Sequence, residues 1–179
     1  YWGRDHGNND GIPPDTFSRT IHGVYPAGGK FDDNTFEGQG LAAGGGGAGI
    51  TPILLASSVD FMRAELALAN GNTLIAKGFV LAGLAKSVNK ATSFGSKDPT
   101  ADLSFAPSAA AISEHAGVIG DNFDADPEGG WNVLGQEYFT ALFGNGLEAY
   151  NFYRRTGFPT NLQPNLEANP GAFIRSFLY

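Results

Sequence analysis

From Ile50 onward the apolar residues return every three or four positions, and some of the links between such runs are only a few residues long. This pattern commits the chain to helices packed as hairpins. Leu55, Val59, Met62 and Leu66 recur at helical spacing, and the run ends at Asn70-Gly71-Asn72, residue types suited to a helix C-terminus. A second stripe, Phe79, Val80, Leu84 and Val88, predicts a helix from about Leu74 to Thr92. A link this short leaves the two helices antiparallel. A third helix is expected over Ser108 to Ile119, with Ser108 as its N-cap ahead of an alanine run. Asp121 to Gly130 reads as an acidic loop. A fourth helix, Trp131 to Phe143, places Trp131, Leu134, Tyr138 and Leu142 on one face, and Gly144 and Gly146 interrupt it. The last helix, Leu147 to Arg155, stops at Thr156-Gly157 with Pro159 just beyond. No alternating strand pattern of useful length occurs, so the fold class is mainly α.

The first part of the chain reads differently. Residues 1–37 have neither period and hold turn signals instead: Asn9-Asp10-Gly11, Pro13-Pro14-Asp15 and Pro26-Ala27-Gly28-Gly29. Residues 38–49 form a flexible glycine-rich loop. The expected organisation is one domain, with a loop-rich segment over 1–49 and a helical region over 50–179. A loop that long is normally functional or packs on further structure. The first residue is Tyr1 and the only methionine is Met62, so a processed chain or part of a longer one is expected. The chain can still bury a core, because 42% of its residues are hydrophobic.

Several function classes are disfavoured by composition. The net charge of -7 and the absence of a basic stripe argue against nucleic acid. With no cysteine there is no disulfide, thiolate zinc site, cysteine nucleophile or cysteine-held iron–sulfur cluster. The charge-free run between Gly38 and Asp60 is too rich in glycine, and too interrupted at Pro52, to span a membrane.

Catalytic signatures are also missing. Gly44, Gly46 and Gly49 match G-x-G-x-x-G, but no strand precedes them. His6, His22 and His115 are far apart, and neither H-E-x-x-H nor G-x-S-x-G occurs. Glu65 lies in the most apolar setting of any carboxylate. A salt bridge from Arg63, or a buried structural contact, explains it better than catalysis. Two acidic clusters have the oxygen ligands that calcium prefers: Asp5 with Asn8, Asn9 and Asp10, and Asp121, Asp124 and Asp126 with Glu128. Neither has EF-hand spacing, and helix capping or plain solvation is the simpler account of both. Calcium is thus the only cofactor the sequence raises. Trp2 is a loop aromatic that could stack on a sugar ring or anchor a loop, whereas Trp131 begins a helical stripe and reads as core. Trp2, Asp5, His6 and Asp10 are the candidates for a ligand-binding loop. Arg154 and Arg155 suit the negative end of a helix dipole.

The stretch ALFGNGLEAYNFYRRTGFPTNL resembles the signature of the SusD/RagB family, which has a Gly-Leu-Glu-Ala step followed by Arg-Arg-Thr-Gly-Tyr-Pro. Gly146, Leu147, Glu148, Ala149, Arg154, Arg155, Thr156, Gly157 and Pro159 match, with Phe158 in place of tyrosine. LASSVDFMRAELAL looks like another helix of that family, departing from it at Ser-Ser-Val-Asp. GRDHGNNDGIPPD looks like the loop before that helix, and the three segments occur in family order. The resemblance implies a tetratricopeptide-like helical protein that performs no bond chemistry. It implies a lipoprotein on the outer face of the outer membrane, its anchor lying outside this chain. Such a protein would act as a lid on a SusC-like TonB-dependent transporter and capture oligosaccharides or, in some branches, peptides. The chain then corresponds to the C-terminal portion of such a protein. Gly146, Glu148, Arg154, Arg155, Gly157 and Pro159 are expected to be structural, and no ligand site carries over. The alternatives are a peptide-binding member of the same family, a fragment of a secreted glycoside hydrolase, whose two carboxylates would converge in a cleft, and a helical-repeat adaptor, for which no clear repeat period exists.

Overall fold

A computed structural model of the chain describes residues 52–95, 97, 103 and 106–163. These form five helices and, among the described residues, no strand: α1 Ala56–Ala69, α2 Thr73–Gly95, α3 Ala109–Ala125, α4 Trp131–Ala141 and α5 Gly146–Thr156. The mainly α class expected from the helical periodicity is therefore observed.

The link between α1 and α2 closes as a Schellman turn. The Asn72 N–H donates to the Ala67 carbonyl (2.8 Å) and the Gly71 N–H to that of Leu68 (2.9 Å). Gly71 takes the left-handed conformation this turn requires, at φ 74°. The pairings across the hairpin run in opposite senses. Asp60 meets Lys86, Phe61 meets Gly83, and the Arg63 guanidinium lies 5.3 Å over the Phe79 ring, so α1 and α2 are antiparallel. A methyl group at position 83 would sit 3.0 Å from the Phe61 ring, so glycine lets the helices approach closely there.

The face that α1 buries is not the one its large aliphatics mark. Val59 is 43% exposed, Met62 37% and Leu66 63%. The buried face holds Ser57, Ser58, Asp60, Phe61, Ala64, Ala67 and Leu68. Close helix approach favours small residues, which corrects the expected stripe. In α2 the reading stands: Val80 and Leu84 are buried, with Phe79 and Val88 packed against the core.

α3 begins as expected, with the Ser108 hydroxyl accepting the Ala111 N–H at 3.1 Å. It does not stop at Ile119, but runs on through the first half of the expected acidic loop to Ala125. Burial of Ile119, Gly120 and Phe123 provides the apolar contact that holds those extra turns. α4 and α5 start and end within two residues of the expected positions. Three rings bind α1, α4 and α5 together. Phe61 stacks on Tyr138 with centroids 5.1 Å apart, and Tyr138 meets Phe152 edge-on at 5.2 Å.

Candidate functional site

The residues that carry the family resemblance form a joint between three helices. The joint begins at Asn145, which caps α5: its side-chain carbonyl accepts the Glu148 N–H at 3.2 Å, and its amide donates to the Ile53 carbonyl at 2.9 Å. Gly146 is the first residue of α5. At the other end Gly157 is left-handed, φ 82°, and its N–H donates to the Tyr153 carbonyl. The Thr156 hydroxyl donates to the Phe152 carbonyl and accepts the Phe158 N–H.

The chain then crosses α4. The Phe158–Pro159 peptide is cis. Pro159 lies against Gly135, where an added Cβ would come within 2.7 Å of the proline nitrogen. The Asn132 side-chain carbonyl accepts both the N–H (2.9 Å) and the hydroxyl (3.0 Å) of Thr160. Phe158 stacks on Trp131, with centroids 5.6 Å apart and planes 16° from parallel. Trp131 thus packs at the edge of the core, as its place in the stripe implied.

Arg155 ties this joint to α1. Its Nε and Nη2 donate to the two oxygens of Glu65, at 2.7 and 2.8 Å, and its Nη1 donates to Glu148 at 3.2 Å. This is the bidentate fork that a planar guanidinium favours. The hydrogen bond to Glu65 is the main reason that Arg155 holds its proton even more firmly than an ordinary arginine. Glu65 is therefore a structural carboxylate, but its partner is Arg155 and not Arg63, which reaches Asp60 instead. The guanidinium of Arg154 lies 5.4 Å over the Tyr150 ring. The motif works as a mechanical unit, and its charged groups are engaged with one another or with rings.

Among the described residues, the other candidates are not gathered into a site. Trp2, Asp5, His6 and Asp10 lie outside the described residues. Asp124 pairs with Lys77 at 2.5 Å. Asp126 closes the start of α4, its Oδ2 accepting the Asn132 N–H at 2.9 Å and its Oδ1 the Glu128 N–H at 3.1 Å. Asp121 is exposed on α3. Among the described residues, no three carboxylates or histidines are placed to hold a metal ion. Asp124 is instead engaged by Lys77, and Asp126 is committed to capping. His115 is exposed. Glu137, on α4, has its carboxyl pushed above the usual range by burial, an effect the nearby His115 partly offsets.

What the sequence reading passed over is the polar side of the hairpin. Asp60 is buried and paired with Lys86. The signal was present in Ser57-Ser58 and Asp60, polar residues within an otherwise apolar run. Beside them is a groove of about 280 Å³ lined by Ala56, Ser57, Lys86, Asn89, Lys90 and Ser93. A second groove, of about 230 Å³, lies between the start of α2 and the end of α3, at Thr73, Leu74, Phe123 and Asp124. Among the described residues, no helix is long and apolar enough to cross a membrane. Comparison with protein-family models, with curated proteins and with solved structures finds no match.

Proposed function

We propose that this chain is part of a SusD-like nutrient-binding protein, a non-enzymatic subunit that captures oligosaccharides at the cell surface for a SusC-like TonB-dependent outer-membrane transporter. One observation carries the reading. Arg155, in the Arg-Arg-Thr-Gly-Phe-Pro signature, forks onto Glu65, in the second segment that resembles the family. Two sequence resemblances far apart in the chain thus meet as one structural unit, as segments of a single inherited scaffold would. The helical hairpins agree with that scaffold. Glycan contacts then belong to loops around the helices, with Trp2, Asp5, His6 and Asp10 as their candidates. A lipid anchor outside this chain holds the protein at the membrane.

The test is a pull-down of the native, full-length protein from detergent-solubilised outer membranes, with its companions identified by mass. Co-purification of a large TonB-dependent barrel is the expected result. A protein recovered soluble and alone overturns the assignment.

A further inference from the structure

Three segments meet at one end of the bundle. The groove of about 230 Å³ there is lined by Thr73 and Leu74 at the start of α2, by Phe123 and Asp124 at the end of α3, and by Gly129 in the link to α4. Leu74 is 83% exposed and its neighbour Ile75 is 55% exposed. Two large aliphatics held open beside a groove that reaches a core ring, Phe123, mark a surface that binds something, which single scattered ones do not. The rim is acidic. Asp124 is engaged by Lys77. Asp121, one turn earlier on α3, and Glu128, next to Gly129, are exposed. Neither pairs with a cation among the described residues.

The described residues end close to this groove. Thr160 donates twice to the Asn132 side chain. Asn132 is three residues from Gly129, so their Cα atoms lie within about 11 Å of each other. Residues 164–179 follow and lie outside the described ones. Their last part is Phe173-Ile174-Arg175-Ser176-Phe177-Leu178-Tyr179, five large apolar residues with one cation, and no acid occurs after Glu167. The chain from Gln163 to Phe173 reaches up to about 33 Å, which covers the distance to the groove.

We propose that the segment Phe173–Tyr179 docks on this end of the bundle. Its apolar side chains cover Leu74 and Ile75 and enter the groove at Phe123, and Arg175 sits beside the acids at Asp121 and Glu128. Two arguments favour this occupant over a separate molecule. A tethered segment has an effective concentration in the millimolar range, so a modest contact area is enough to hold it. The charges also match: a second copy of a chain of net charge -7 is repelled by the acidic rim, whereas this segment brings a cation to it. The inference stands on these residues and does not depend on the transporter reading.

The chain has no cysteine, so Ser176→Cys gives a single attachment point for a nitroxide on the full chain labelled with nitrogen-15. The amides of Thr73, Leu74 and Gly129 should lose about half their intensity or more, as expected for a segment docked much of the time, and regain it when the nitroxide is reduced. Amides near Ser108, at the far end of α3, should keep theirs. Leu74→Asp should abolish the loss, and because Leu74 is exposed this exchange leaves the fold intact. Phe177→Ser should abolish it from the other side of the contact. A mixture of nitroxide chains lacking nitrogen-15 with nitrogen-15 chains lacking nitroxide separates the occupants. No loss in the mixture is expected, and a loss there assigns the groove to a second copy and overturns the proposal. Full intensity at the groove in the doubly labelled chain, which leaves the surface to a separate partner, also overturns it, as does a loss that persists in Leu74→Asp.

Discussion

The α1–α2 hairpin and the α4–α5 corner pack with opposite materials. The corner is built from large rings, with Tyr138 between Phe61 and Phe152 and Trp131 against Phe158. Its helix ends are closed by Asp126, Asn145 and Gly157. The hairpin is built from small residues, Ala64, Ala67, Ala76 and Gly83, and it carries a buried carboxylate and an open helix start. Ring packing depends on shape, so the corner is a scaffold whose polar groups, Arg155 and Asn132 among them, are mostly engaged in holding it together. Small-residue packing brings two backbones close, and it leaves polar groups at the rim where a ligand can reach them. Stability is concentrated in the corner, and chemical opportunity in the hairpin.

The largest expected effect tests the corner. Tyr138→Ala removes the ring that touches both Phe61 and Phe152, and it should destabilise the protein by about 3–5 kcal/mol. Urea unfolding monitored by circular dichroism measures this. A loss below about 1 kcal/mol would break the comparison, because the three rings would then not be the keystone.

The Tyr138 hydroxyl sharpens the same point through pH. It is buried without a hydrogen-bond partner, the Ser58 hydroxyl lying nearby but outside bonding geometry. Burial, followed by the charge of Glu148, pushes its pKa up to about 12. An unfolded chain releases this proton near pH 10, whereas the folded one keeps it. Its titration therefore leaves stability untouched below about pH 10 and lowers it as pH rises toward 12, by on the order of 2 kcal/mol. In Tyr138→Phe this alkaline decline should disappear, and stability at pH 7 should be unchanged or slightly higher, since no hydrogen bond is lost. Unfolding midpoints at pH 7, 10 and 11.5 decide it. Parallel declines in the two proteins would place the titration elsewhere.

Much of this architecture is legible in the sequence because its signals are local. The Ser108 cap, the Gly71 turn and the stripes of α2 and α4 each act within a few residues, and each is found where the pattern puts it. Two features were not legible, since both depend on what lies across the interface. α3 outruns its expected end because Phe123 finds a buried place beneath α4, where a Cβ on Gly130 would strike its ring. Phe123 does continue the spacing of Ile112, Ala116 and Ile119, but the acidic and turn-forming residues from Asp121 to Gly130 mask it. The fork from Arg155 to Glu65 spans most of the described chain, so spacing along α1 pointed to the nearer Arg63. Likewise, the groove at Ser57 and Lys90 exists only once α2 lies on α1.

The smallest effect tests which face of α1 is inward. Helical periodicity assigned Leu66 to the core, because large aliphatics are the cheapest marker of burial in a sequence. At this close helix crossing the marker misleads, since alanine and glycine take much of the facing surface and the Phe61 ring fits because Gly83 lies opposite it. Leu66 is 63% exposed. Leu66→Ser should therefore change stability by no more than about 0.5 kcal/mol, as for an ordinary surface exchange. Leu68, two positions on, is buried and would not tolerate the same change. A loss of 2 kcal/mol or more at Leu66, from the same urea titration, would mean that a further apolar surface covers the outer stripe of α1. That outcome would leave the hairpin intact but make both of its faces interior, and the contrast with the corner would narrow to the choice of side chain.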